Sequence, residues 1–274
     1  MDGAKFDNAR NVSQKLSKLP PSAPEESAMT TVNHKAHTTF KTVDLNVKSL
    51  PLMKQSQVEH DIHRATSEGS IIAWQEISPA RYRQAIKDLP KEWASYMPHD
   101  KGGLPIEDPI SWNTKEWTKV DAGFKRTHTG KAKVSPNRYV TWVKLKNKET
   151  GQTIVRMNTH TVSAGWSHKP GGVTDRAWRQ EKWHEHMAIM KQMVAHFEKQ
   201  GYPVIVSGDF NRNHDKVLGN EVRYDSGLSA HTHGKSTLDY MMSSRNKELK
   251  KLGFRVDDHY ASDHNALIGT YELK

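Results

Sequence analysis

The sequence contains no cysteine among its 274 residues. Disulfides, thiolate metal ligands and a cysteine nucleophile are therefore excluded together. No apolar run approaches the roughly 20 residues needed to span a bilayer, and the first residues, MDGAKFDNAR, form no apolar signal segment. A phosphate-binding glycine loop and a dinucleotide fingerprint are also lacking. We therefore expect a cytoplasmic protein without a membrane span.

Positive charge is what the sequence has in excess. Lys and Arg number 41 against 31 Asp and Glu, a formal net charge of +10. Residues 1–36 hold five basic residues and four acids, so nearly all of the excess belongs to the rest of the chain. A basic body suits a polyanionic partner such as DNA, RNA or an anionic membrane surface. General solubility is the alternative explanation.

Composition separates the chain into an arm and a body. Residues 1–36 include the proline-rich run LPPSAPEES and show no apolar periodicity, which predicts a flexible N-terminal arm. Residues 37–274 alternate β-prone runs with amphipathic segments, which predicts a layered α/β body with mixed sheets. The predicted helices cover 55–68, 79–89 and 174–199, the last capped by Thr174 or Asp175. The predicted strands cover 39–47, 70–76, 109–112, 117–124, 138–146, 153–160, 202–211, 236–243 and 264–272.

Polar side chains stand where the apolar runs end, which is where open sheets present functional groups. They are Asn46, Glu76, His160, Asp209, Asn211, Asp239, Asp263 and His264. Each alone has an ordinary explanation, such as a turn former or a half-buried histidine. Carboxylates attached directly to apolar strands are harder to explain, because burying an unpaired charge is expensive. Together they indicate strand ends that converge around a cation or a cationic partner.

The motifs WQE, NTH, GDFN, LDY and SDH follow Asn46 in this order. The series resembles the signature of the endonuclease/exonuclease/phosphatase superfamily, the fold shared with pancreatic-type deoxyribonuclease, over about residues 39–273. The resemblance implies a four-layer α/β sandwich, in which two mixed β-sheets pack together with helices outside. It also implies metal-dependent hydrolysis of phosphodiester bonds by residues 37–274.

The resemblance assigns the metal and the attacking water to particular residues. Glu76 is the principal metal ligand, aided by Asn46 and Asp263. Mg²⁺ is the expected cofactor, with Mn²⁺ or Ca²⁺ as substitutes, since hard cations take oxygen ligands. Asp209 orients or deprotonates the attacking water, and Asn211 holds that water or a phosphate oxygen.

The other implied roles concern the phosphate. His264 contacts it, while Asp239 hydrogen-bonds that imidazole and favours its cationic form. His160 matches the NTH histidine of the deoxyribonuclease and sphingomyelinase branches, where it donates to a phosphate oxygen or the leaving group. Arg138 is matched to a phosphate-binding arginine.

Lys48 departs from one branch of the superfamily. It stands two residues after Asn46, where abasic-site endonucleases carry a second metal-binding acid. That branch also has a tyrosine in place of His160. These differences argue against an abasic-site repair enzyme and favour a single metal.

Further candidates for substrate contact are basic or aromatic. Residues 121–138 are predicted to form a mobile basic loop, including Lys125 and Arg126, that follows a nucleic-acid backbone by charge. A solvated surface loop is the alternative. Trp166 and Arg176 follow the NTH motif and are also expected to contact substrate.

The sequence thus favours a monomeric Mg²⁺-dependent phosphodiesterase that hydrolyses DNA, acting as an endonuclease. One alternative is a phosphatase or phospholipid phosphodiesterase on the same fold, since fold does not fix substrate. The basic body argues for nucleic acid over lipid. The other alternative is a catalytically silent nucleic-acid-binding module. Retention of every acid, amide and imidazole needed for hydrolysis argues against this second alternative.

Overall fold

Twelve strands and three helices make up the part of the chain described by the computed structural model, residues 37–167 and 172–274. The predicted arm, residues 1–36, lies outside the described residues. Along the chain the elements are β1 (Thr38–Asn46), α1 (Gln55–Glu68), β2 (Ile71–Gln75), α2 (Ala80–Lys87), β3 (Trp93–Tyr96), β4 (Ile110–Asn113), β5 (Trp117–His128), β6 (Arg138–Asn147), β7 (Thr153–His160), α3 (Arg176–Lys199), β8 (Val204–Asp209), β9 (Val222–Tyr224), β10 (Asp239–Ser244), β11 (Leu249–Asp257) and β12 (Ala266–Leu273).

The strands form two six-stranded mixed sheets. The first has the order β11-β12-β1-β2-β4-β3, and the second has the order β5-β6-β7-β8-β10-β9. Each contains one parallel pair, β1 with β2 and β7 with β8, and the other pairs are antiparallel. A parallel pair brings the carboxyl ends of both strands to one edge of the sheet. Asn46 therefore lies beside Gln75, and His160 lies beside Asp209.

Three apolar clusters hold the layers together. Between the sheets, Phe40 stacks on Tyr271 with ring centroids 5.9 Å apart. The apolar face of α1, which includes Val58 and Ile62, covers the first sheet together with α2. The third helix, α3, covers the second sheet with Trp183 and other apolar residues spaced three or four apart. The predicted four-layer α/β sandwich is confirmed.

Three strands were not predicted from the sequence. Strands β3 and β9 are short, and β11 carries lysines on an edge of its sheet, where pairing with β12 stabilises it. Strand β5 continues to His128, beyond its predicted end. Lys125 and Arg126 therefore lie on a strand, and the interpretation of residues 121–138 as one mobile loop is wrong for its first part.

The start of α3 also differs from the prediction. Asp175 precedes the helix with a φ of 58° and makes no capping hydrogen bond with its side chain. Its carboxylate instead forms an ion pair with Lys131. Within the described residues, no helix combines the length and apolarity needed to cross a bilayer.

Candidate active site

One carboxylate oxygen of Asp209 is the point around which the predicted site residues gather. Asp209 Oδ2 lies 3.2 Å from Asn46 Nδ2, 3.5 Å from His160 Nε2 and 4.0 Å from His264 Nε2. All four residues are buried. They come from both sheets, so the packing of the two sheets creates the site.

Strand register explains the alignment in the second sheet. Asp209 is the partner of His160 on β7 and of Asp239 on β10, so three neighbouring strands place these side chains in a row. Gly208 has a φ of 146°, and a β-carbon there would collide with the carbonyl oxygen of Thr159. Only glycine fits this position of the GDFN motif.

Glu76 directly follows β2 and has a φ of 64°, an unusual conformation for a residue other than glycine. Its Oε2 accepts hydrogen bonds from the Ser49 hydroxyl at 2.6 Å and the Ser49 backbone N–H at 2.5 Å, and its Oε1 accepts one from Asn46 Nδ2 at 3.1 Å. Burial by itself would raise the pKa of Glu76. The electrostatic interaction with His160 and the Ser49 hydrogen bonds outweigh burial and lower that pKa, so the carboxylate is held ionised.

The same residues suit a hard divalent cation. The amide NH₂ of Asn46 lies between the carboxylates of Glu76 and Asp209, at 3.1 Å and 3.2 Å, where the negative potential favours positive charge. Rotation of this amide would present its oxygen instead. Carboxylate and amide oxygens are the donors that Mg²⁺, Mn²⁺ and Ca²⁺ take in proteins. Other acid and histidine groups of the site, Asp209 with Asp239 and His264 among them, could also hold a metal ion.

His264 is held as a cation by Asp239. Its Nδ1 lies 2.9 Å from Asp239 Oδ2 and 3.1 Å from Oδ1. Burial would lower the pKa of this imidazole. The charge of Asp239 and its hydrogen bond, followed by the charges of Asp209 and Asp263, overcome burial and raise the pKa of His264 to about 10. The imidazole therefore presents Nε2–H as a charged donor.

Asp209 is held by the asparagine that stands two residues later in the GDFN motif. The backbone N–H of Asn211 donates to Asp209 Oδ1 at 2.8 Å, and Asn211 Nδ2 donates to the Thr161 carbonyl oxygen at 3.4 Å. Burial, reinforced by the negative charge of Asp239, raises the pKa of Asp209 above its usual range. A raised pKa makes this carboxylate a stronger base than an exposed aspartate.

Asp263, predicted to aid the metal, contacts a lysine. Lys48 Nζ lies 2.9 Å from Asp263 Oδ2, and His233 Nε2 lies 3.8 Å from the same oxygen. The His233 ring packs against the His264 ring with centroids 4.6 Å apart. Asp263 therefore sits between the Lys48 ammonium and the His233 imidazole at the edge of the site.

Glu107 and Asp108 belong to the site and were not identified from the sequence. Glu107 Oε1 lies 3.0 Å from His160 Nδ1, and the Arg138 guanidinium donates to the same oxygen. Asp108 is 1% exposed, and neither of its carboxylate oxygens has a hydrogen-bond partner. Burial raises the pKa of Asp108 well above its usual range, and the negative charge of Glu107 adds to this. Both acids stand before β4, separated from it by Pro109, whereas the sequence criterion selected polar residues at the ends of apolar runs.

The predicted substrate contacts occupy different places. Arg138 is buried against Glu107, and Lys125 and Arg126 lie on β5. Trp166 is half-buried in the segment after His160. Arg176, at the start of α3, donates to the Ser167 carbonyl oxygen at 2.8 Å, which ties the helix to that segment.

Comparison with known proteins identifies the fold. The sequence matches no protein-family model and no curated protein. Among solved structures, the fold of this chain matches that of an endonuclease/exonuclease/phosphatase family protein from Bacteroides thetaiotaomicron, with a TM-score of 0.67. The match covers 87% of this chain and 96% of that chain, at 13% sequence identity. The chain also matches D. rerio TDP2 complexed with a single-strand DNA product (14% identity, 85% and 99% coverage, TM-score 0.64). A third match is a mannosyl-6-phosphatase from B. thetaiotaomicron (14% identity, 84% and 98% coverage, TM-score 0.63).

At these identities the likeness concerns the fold. The chain has the endonuclease/exonuclease/phosphatase fold, as the motif resemblance implied.

Proposed function

We propose that this chain is a divalent-metal-dependent phosphodiesterase that hydrolyses DNA as an endonuclease. The observation that carries the proposal is the arrangement around Asp209. A buried carboxylate with a raised pKa lies within 4.0 Å of the Nε2 atom of His264, a cation that Asp239 fixes in place. Hydrolysis of a phosphodiester needs a base for the water and positive donors for the phosphate oxygens, and these groups provide both.

Each residue then has a defined role. Asp209 accepts a proton from the attacking water, and Asn211 helps to hold that water. The His264 imidazolium donates a hydrogen bond to a phosphate oxygen and offsets the charge that develops there. His160, whose Nδ1 lies 3.0 Å from Glu107 Oε1, donates its Nε2 proton to the leaving oxygen. A divalent cation, when bound, adds positive charge at the phosphate.

Glu76 and Asn46 are the proposed holders of that cation. Ser49 fixes the Glu76 carboxylate, and the lowered pKa of Glu76 keeps it available as an anionic ligand. Asp263 is the further proposed ligand, but it binds the cation only if Lys48 releases it. Mg²⁺ is the ion proposed, because the donors are hard oxygens.

DNA is the proposed substrate because the charge of the chain favours a polyanion. Nearly all of the +10 net charge lies outside residues 1–36. The fold is shared with TDP2, whose solved structure carries a single-strand DNA product. Arg126, Lys131 and Lys133 are exposed on β5 and after it and form the proposed track for the phosphate backbone.

Hydrolysis of a phosphomonoester is the second candidate. The mannosyl-6-phosphatase match shows that the same fold serves a sugar phosphatase. A proton donor at His160 would serve either leaving alkoxide, but the net charge of +10 favours a polyanionic diester substrate over a small sugar phosphate.

The test is incubation with supercoiled plasmid in Mg²⁺, with EDTA and Asp209→Ala as controls. Nicking that disappears in both controls would support the proposed nuclease. Intact plasmid would count against DNA, and the same preparation would then be offered RNA, phospholipid head groups and sugar phosphates.

A further inference from the structure

The guanidinium of Arg212 stacks on the indole of Trp166. Arg212 Cζ lies 4.2 Å from the centroid of the Trp166 ring. The indole in turn packs edge-on against Trp183 of α3, with ring centroids 4.9 Å apart. A cation over a tryptophan face is an attractive contact, so the two side chains support each other.

Hydrogen bonds fix both halves of this stack. Arg212 Nε donates to Asp215 Oδ2 at 2.7 Å, which sets the plane of the guanidinium. The Gly165 carbonyl oxygen accepts a hydrogen bond from Gln180 Nε2 of α3 at 2.9 Å. The Arg212 side chain is nevertheless 29% exposed, so part of the stack remains open to a ligand.

The stack belongs to the end of the sheet that carries the catalytic residues. Trp166 lies in the segment that follows His160 at the end of β7, and Arg212 follows Asn211 after β8. These strands are parallel neighbours, and Asn211 Nδ2 donates to the Thr161 carbonyl oxygen, which joins the two segments. The proposed hydrolysis uses neither Trp166 nor Arg212.

A flat, partly exposed guanidinium supported by an indole suits a nucleobase. Arginine is weakly hydrated and stacks on aromatic faces. Unpaired bases in protein complexes stack on aromatic rings and on arginine planes, and such stacking tolerates any base because each has a π-face. A sugar or a lipid head group has no π-face on which a guanidinium can stack.

We propose that Trp166 and Arg212 form a stacking platform for a nucleobase adjacent to the scissile phosphate. The inference rests on the proposed function, because it takes a nucleic acid as the substrate. It adds that the protein recognises bases of an unpaired strand in addition to phosphate charge.

The test compares two labelled single strands of equal length. One is ordinary DNA, and the other carries tetrahydrofuran in place of every nucleoside, so that the phosphates remain and the bases are gone. Binding is measured by fluorescence anisotropy in EDTA, which separates affinity from cleavage. The variants are Arg212→Lys, which keeps the charge and removes the planar group, and Trp166→Leu, which removes the supporting ring.

We expect the wild-type protein to bind the base-bearing strand about tenfold more tightly than the base-free strand. Both variants should lose this preference and keep the wild-type affinity for the base-free strand. Arg245→Lys, at an exposed arginine that donates to the Asn220 carbonyl oxygen, is the matched control and should keep the preference.

Equal binding of the two strands by the wild type, no binding of either, or a preference that survives both variants would overturn the platform. An RNA strand in the same assay shows whether the platform binds the bases of RNA or those of DNA more tightly. Cleavage of the same strands in Mg²⁺ is scored separately. Base preference without cleavage would reject the proposed hydrolysis and support the platform. Cleavage without base preference would support the proposed hydrolysis and reject the platform.

Discussion

Lys48 Nζ and Asp263 Oδ2 lie 2.9 Å apart, so the carboxylate predicted to aid the metal is neutralised by an ammonium group of the same chain. The backbone N–H of Lys48 donates to Asn46 Oδ1 at 3.0 Å, which keeps the lysine beside the proposed metal ligands. The Lys48 ammonium therefore already occupies Asp263, the residue proposed as a further metal ligand.

Replacement of this lysine by methionine is expected to strengthen metal binding. In Lys48→Met, Asp263 is free to act as a ligand and a nearby positive charge is gone. The Kd for Mn²⁺ should fall about tenfold, equivalent to ~1.4 kcal/mol. Titration followed by electron paramagnetic resonance measures this. Lys148→Met, at the exposed β6–β7 turn, is the control and should leave the Kd unchanged. Weaker or unaltered Mn²⁺ binding in Lys48→Met would show that Asp263 has no part in the metal site.

Asp239→Asn is expected to shift the pH dependence of turnover. The folded pKa of His264, about 10, lies above its ordinary value of 6.5. The charged imidazole therefore contributes stability that is complete below pH 6.5 and is lost as the pH rises through about 10, and its role as a charged donor to the phosphate is lost over the same alkaline range. Without Asp239 the pKa falls, so the alkaline limb of kcat should move to lower pH, with a loss of ~10²-fold at pH 8.

A pH series of kcat, with Asp121→Asn at an exposed position as control, measures this shift. An alkaline limb that stays in place in Asp239→Asn would mean that His264 does not act as a cation.

The Ser49 hydroxyl is expected to act through Glu76. In Ser49→Ala the carboxylate loses its 2.6 Å hydrogen bond and becomes less fixed. Loss of such a partner of a ligand lowers metal affinity ~10–100-fold. Isothermal titration with Mg²⁺ measures the change, and Ser49→Thr should restore part of it because the hydroxyl returns. Equal Mg²⁺ affinities in the wild type and Ser49→Ala would show that Ser49 does not contribute to metal binding.

Asp108→Asn is expected to stabilise the fold at neutral pH. The pKa of Asp108 is raised in the folded state. The carboxyl therefore destabilises the fold increasingly as the pH rises from the ordinary pKa of an aspartate towards the pKa of Asp108 in the folded state. The uncharged amide removes this cost. Tm should rise by about 2–4 °C at pH 7, the shift for ~1 kcal/mol in a domain of this size, and should not rise at pH 4. A fall in Tm at pH 7 would show that a bound cation partners the Asp108 carboxylate.

The sequence predicted most of the second sheet and the site residues carried by its strand ends. Asp209 and Asp239 were identified because each adjoins an apolar run. The strands of this sheet were predicted from such runs and from the hairpin that joins residues 138–146 to 153–160. Their side-by-side register follows from pairing between distant strands, which no local pattern contains. The fold prediction rested on the order of five short motifs together.

The features that the sequence did not predict depend on tertiary packing. Glu107 contacts His160 only because the two sheets face each other, and the segment before β4 has no periodicity of its own. Strand β11 contains consecutive lysines and becomes a strand by pairing along its length with β12. The Arg212–Trp166 stack joins two segments that separate strands carry.

The most direct test of the central claim is hydrolysis of bis(4-nitrophenyl) phosphate and of 4-nitrophenyl phosphate, each followed against Mg²⁺ concentration for wild type and Asp209→Asn. We predict that the diester is hydrolysed with the higher kcat/KM and that activity saturates with Mg²⁺. Asp209→Asn should lose this activity, while its circular dichroism spectrum should match that of the wild type. Preference for the monoester, or full activity in Asp209→Asn, would contradict a phosphodiesterase in which Asp209 activates water.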